Sequence, residues 1–117
     1  MNEIELKHRT KQFAHRCAKL ALSLPANSLG SHVQKQLIRC STSVAANYRA
    51  ACVSQSKKSF ISKLNIVIEE VDETEFWLEF IIEERLMKKE LIDSLLKEAN
   101  ELTAIFVSSR KTLQKSQ

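Results

Sequence analysis

At 117 residues the chain is long enough to bury one core and too short for two, so one domain over residues 1–117 is expected. One glycine, one proline and 44% apolar residues leave few places for turns and favour a few long helices over strands. No apolar run approaches the roughly 18 residues that cross a bilayer, and Met1–Leu6 carries two acids where a leader would be basic; a cytoplasmic protein with no membrane partner is expected.

The net charge of +4 is unevenly spread: residues 1–68 hold eleven Lys and Arg against two acids, and residues 69–117 hold seven against twelve. A basic half beside an acidic half can attract polyanions or pair with further copies of itself, and it can also be ordinary solvated charge.

In chain order, Leu6, Phe13, Cys17, Leu20 and Leu24 recur at helical spacing and predict a first helix over about 2–24, stopped by Pro25. Ser31 and Gln34 have capping-box spacing for a second helix over about 31–53, with Val33, Leu37, Cys40, Val44, Tyr48 and Ala51 on its apolar face. Ser56 suits the N-cap of a third helix over about 57–87, whose stripe is Phe60, Leu64, Val67, Val71, Leu78 and Ile81. A fourth, over about 89–113, presents Leu91, Leu95, Ala99, Leu102 and Phe106. Four amphipathic helices with short connections and no strand pattern imply an all-α, antiparallel up-down-up-down four-helix bundle.

The second helix is unusually thin, since Cys40, Ser43, Ala46, Ala50 and Ala51 are small enough to let neighbouring backbones approach. Its Lys35, Arg39, Thr42, Ala46 and Arg49 fall in a band about 80° wide, almost opposite the core stripe. Guanidinium and ammonium groups along one face can meet successive phosphates. Lys35, Arg39 and Arg49, with Lys11, Arg16 and Lys19 of the first helix, are therefore the candidate nucleic-acid contacts. A charge stripe is equally compatible with a solvated face. Asn47 lies at the edge of the apolar face, where an amide needs partners, and is expected to bond neighbouring backbone.

On the third helix Phe76 and Phe80 lie nearly opposite Phe60, with Trp77 on the flank, among Glu69, Asp72, Glu73 and Glu83. Apolar patches rimmed by charge mark interfaces. Ile38, Ala45 and Cys52 make a second stripe at i, i+7, i+14. These six residues are the candidate interface for self-association, which becomes a ring if the two surfaces differ. The other possibility is that helix ends and loops cover the aromatics within one chain.

No enzymatic constellation follows from the spacing. His8 and His15 share a face of the first helix without a nucleophile or an orienting group. Glu69–Glu75 lacks the Glu-x-x-His pairs of a di-metal bundle, and Gly30 alone cannot make a phosphate loop. Cys17, Cys40 and Cys52 are odd in number and lack C-x-x-C spacing, so buried free thiols are expected rather than a disulfide or zinc site. No metal and no cofactor are expected.

The segments "QLIRCSTSVAANYRAAC" (36–52), "SKKSFISKLNIVIEEVDETEFWLEFI" (56–81) and "LLKEANELTAIFVSS" (95–109), in that order, resemble the bacterial four-helix bundle family that includes proteins encoded by intervening sequences inside large-subunit ribosomal RNA genes. Gln36, Arg39, Ser43, Asn47, Arg49 and Ala50 match its pattern, as do Phe60, Lys63, Leu64, Glu70, Glu73, Trp77 and Leu78; Cys40 stands where serine is usual. The resemblance implies an up-down-up-down bundle assembled as a homopentameric ring, with ribosomal RNA as a presumed ligand. It also implies a more distant similarity to the accessory variability proteins of diversity-generating retroelements, basic pentameric barrels that bind nucleic acid and a reverse transcriptase. The combined expectation is a non-enzymatic oligomer that binds structured RNA or other nucleic acid through phosphates. The alternative is a protein-interaction scaffold.

Overall fold

The computed structural model describes residues 1–116 and contains four long helices: α1 (Glu3–Ala21), α2 (Ser28–Cys52), α3 (Lys57–Glu83) and α4 (Asp93–Lys115), with a 3-10 turn at Lys89–Leu91 before α4. There is no strand among the described residues. The molecule is a rod of 48 × 21 × 19 Å, and α3 alone, at 1.5 Å per residue, spans about 40 Å of it. Neighbouring helices run in opposite senses. Arg9 meets Glu98 while Arg16 meets Ser94, so α1 and α4 are antiparallel; His32 meets Trp77 while Arg39 meets Glu70, so α2 and α3 are too. Thr103 meets Glu75 while Arg110 meets Asn65, which sets α4 against α3 in the same way. α2 packs extensively on both α1 and α3, whereas α1 and α4 touch only sparsely.

Local chemistry explains the helix ends. Asn2 caps α1 by accepting from the Glu5 N–H at 2.8 Å and donating back to the Glu5 carboxylate at 3.0 Å. Asn27, rather than Ser31, caps α2, accepting from the Gly30 N–H at 2.8 Å. The Ser31–Gln34 box therefore does not form. Gln34 reaches back to donate to the Ala21 carbonyl at 2.9 Å, which also accepts from the Leu24 N–H at 3.1 Å where α1 ends. Ser56 caps α3 as expected, accepting from the Ser59 N–H at 3.0 Å.

α3 ends at Glu83, four residues before the expected Met87. Arg85 has φ 55°, the Arg85 N–H donates to Ile82 and the Leu86 N–H to Ile81, both at 3.0 Å, which together make a Schellman stop. An arginine in the left-handed region costs about 1–2 kcal/mol relative to the right-handed one. Arg85→Gly is therefore expected to stabilise the bundle by about 0.5–1 kcal/mol after glycine's extra unfolded-state freedom is counted, readable as a higher urea midpoint at unchanged m-value. The 3-10 turn that follows shifts the register into α4, so Leu91, expected in the core, is 56% exposed and Ile92 is buried instead.

The core runs the length of the rod, with Phe13, Leu37, Val44, Leu64, Val71, Leu78, Leu102 and Phe106 fully buried. Tyr48 tilts against Phe106 with ring centroids 5.4 Å apart. Cys40, Ser41 and Ala51 of the thin helix are buried, whereas Ser43 and Ala50 are half-buried and Ala46 is exposed. The buried hydroxyls of Thr10, Ser41 and Thr74 bond carbonyls of their own helices, Lys7, Ile38 and Glu70. All three cysteines are free. Burial pushes the Cys17 thiol up to about 12 and that of Cys40 up to about 11, leaving both inert as nucleophiles.

The sparse α1–α4 seam is clamped by Arg9, whose guanidinium donates to both Glu98 oxygens at 2.7 Å and to Glu101 at 3.1 Å. The hydrogen bond from Arg9 holds the Glu98 carboxyl below the usual carboxylate range. A depressed folded-state value means that the contribution is complete above the unfolded glutamate pKa of about 4.3 and is lost as pH falls through the lower folded value. Glu73 behaves likewise because Arg39 bonds it, whereas burial raises Glu75 and gives it the opposite sign. Glu98→Gln is expected to cost about 1–2 kcal/mol at neutral pH, and to flatten the loss of stability below about pH 4, measured by urea melts across pH.

Candidate nucleic-acid interface

The six candidate cations do not share one surface. Arg39 leans onto α3, where its guanidinium donates to Glu70 at 3.1 Å and to Glu73. Two carboxylates thus offset its charge, and Glu73 also accepts from the Trp77 indole at 3.3 Å. Arg16 faces α4, donates to Ser94 at 3.0 Å, and shares with Lys19 a cleft of about 330 Å³ beside Leu20, Met87 and Leu91. Lys35 is exposed on α2 one turn before Arg39. Only Lys11 and Arg49 converge.

They do so in a groove of about 600 Å³ between α1 and α2. Its small residues, Ala14 and Ala18 of α1 and Ala45 and Ala46 of α2, keep the two backbones close and the groove shallow. Its polar rim is Lys7, His8, Lys11 and His15 from α1, with Thr42 and Arg49 from α2. Among the described residues no carboxylate lines it; Glu3 stands 3.9 Å from the Lys7 ammonium at i, i+4. Sequence reading missed Lys7, His8 and His15 as groove residues. The signal was present: residues 7, 11, 14 and 18 recur on one face of α1, as residues 42, 45 and 49 do on α2. Which two faces would meet was a tertiary matter.

Asn47 is half-buried, and its amide donates to the Ser43 carbonyl at 3.0 Å and to the Ser43 hydroxyl at 2.8 Å, within α2. A larger opening of about 860 Å³ at the α2–α3 turn is lined mainly by Ser and Thr, and its lysine, Lys57, is bonded to Ser116.

On α3, Phe76 is 53% exposed, and Trp77 and Phe80 are half-buried. The three rings pack on one another, Phe76 to Trp77 at 4.9 Å, Trp77 to Phe80 at 5.6 Å and Phe76 to Phe80 at 6.1 Å, with His32 edge-on to Trp77 at 5.6 Å. Phe76 is the most open of the three. The second stripe is less open: Ile38 and Cys52 are half-buried against the core, and Ala45 lies in the α1–α2 groove.

Among the described residues, no helix is long and apolar enough to cross a membrane, and no three His, Cys, Asp or Glu side chains are grouped to hold a metal ion. Four packed helices, a cationic groove between α1 and α2 and a partly exposed aromatic cluster on α3 define an all-α bundle. The family model for the 23S rRNA-intervening sequence protein matches residues 2–108, and the chain belongs to that family. The chain is also similar to a crystal structure of a protein of unknown function from the S23 ribosomal protein family of Bacteroides thetaiotaomicron. The two are 33% identical with a TM-score of 0.87, over 95% of this chain and 99% of that one. Comparison with curated proteins gives no match.

Proposed function

We propose that this protein is a non-enzymatic, self-associating bundle that binds structured RNA through the α1–α2 groove. The observation that carries the reading is the groove itself, where Lys7, Lys11 and Arg49 line a shallow trough with no carboxylate among its residues. Such a trough suits a phosphate backbone rather than base edges, so affinity with little sequence preference is expected. Membership in a family named for a 23S rRNA intervening sequence supports RNA as the polyanion. Self-association is supported by Phe76, which projects from an otherwise packed aromatic cluster on the acidic helix. Five copies in a ring is the assembly that the family resemblance implies. A monomeric mass at micromolar concentration and physiological salt would overturn self-association.

RNA binding is tested by titrating a labelled RNA stem-loop across a salt series. A log–log slope of about −0.9 per phosphate neutralised is expected. Absence of binding at low salt would instead favour the second reading, a scaffold that presents the Phe76 patch to a polypeptide; that contact would be nearly insensitive to salt.

A further inference from the structure

We propose that His8 and His15 contact phosphate in the α1–α2 groove and take up protons with the RNA, so that the site binds more tightly as pH falls through the imidazole range. This rests on the groove reading above and adds its regulation. Both imidazoles are exposed, both line the groove, and among the described residues no hydrogen bond or ion pair uses them. Seven residues apart on one helix face, they stand about 10 Å from each other along the axis, far enough to meet different phosphates.

The charged groups around them are one-sided. From α2 the groove receives Arg49; from α1 itself it receives Lys7 and Lys11, with Glu3 drawn to Lys7. The other helix packed on α1 is α4, and its Glu98 and Glu101 are engaged by Arg9 rather than turned to the groove. A phosphodiester in the groove therefore supplies the negative charge that an imidazolium needs and that the groove lacks. Histidine is the side chain whose ordinary titration lies in this range, so occupancy and protonation are linked there.

The test is RNA stem-loop affinity across a salt series at about pH 8 and about pH 5.5. The carboxyls of Glu98 and Glu73, held below the usual carboxylate range by Arg9 and Arg39, stay ionised at the lower value, so these two ion pairs persist there; far-UV circular dichroism at both values checks that the bundle does too. Expected are a gain of about tenfold or more in affinity on acidification and a salt slope steeper by about 0.9 for each histidine. The His8→Gln/His15→Gln protein should lose both responses. His32→Gln, altered beside Trp77 and away from the groove, should keep them. RNA binding with the same slope at both pH values, or a pH response retained in the double variant, would overturn the inference while leaving the groove reading in place. No binding at either pH would overturn both.

Discussion

Changing Lys11 and Arg49 together to glutamate is expected to weaken RNA binding about 100-fold at moderate salt and to reduce the magnitude of the salt slope by about two. Each residue is exposed, lines the groove and has no carboxylate partner among the described residues, so its charge is available to a phosphate. Reversal removes two attractive contacts and places two repulsive charges in the same trough. Because neither side chain is bonded into the bundle, the urea midpoint should move by less than about 0.5 kcal/mol in free-energy terms. The contrast is Lys19→Glu with Lys35→Glu, two exposed cations outside the groove, for which at most a few-fold loss is expected through the longer-range field. Equal losses in the two double variants would show that diffuse charge, rather than the groove, holds the RNA.

The largest single-site effect on stability is expected at Gly30. A Cβ there would sit 1.9 Å from the Pro25 carbonyl oxygen and 2.9 Å from its carbon, both of them backbone atoms. Relief would require moving either the α1–α2 turn or the first turn of α2, where the Gly30 N–H is already committed to Asn27. Gly30→Ala should therefore cost about 2–3 kcal/mol, which for a chain of this size lowers the melting temperature by roughly 10 °C. Alanine's better helix propensity, worth about 1 kcal/mol in an unobstructed helix, would act the other way and is outweighed. Ser31→Ala is the paired control. Since Asn27 caps α2 and Ser31 is exposed inside it, the change should be within about 0.5 kcal/mol of neutral. A large loss at Ser31 with none at Gly30 would move the N-cap of α2 from Asn27 to Ser31, four residues later.

Helix existence and core were legible because periodicity is a local property. Phe13, Leu37, Val44, Leu64, Val71, Leu78, Leu102 and Phe106 show themselves by spacing alone, and all are buried. Near-absence of glycine and proline favoured long helices over strands, and three ordered segments were enough to indicate the family that the match over residues 2–108 shows. Boundaries were less legible. The α2 start depended on whether Asn27 or Ser31 would find a free N–H, and the α3 stop on an arginine adopting a left-handed conformation that favours glycine. The candidate site was legible only in its residue types. Long cationic side chains reach whatever lies beside them, so helix phase could not show that Arg39 would be taken by Glu70 and Glu73, or Arg16 by Ser94. Nor could it show that Lys7, His8 and His15 would stand beside Arg49. Burial pattern belongs to each helix separately and was written in the chain; the pairing of charges across helices depends on how the helices are set against one another, and only the packed bundle decided it.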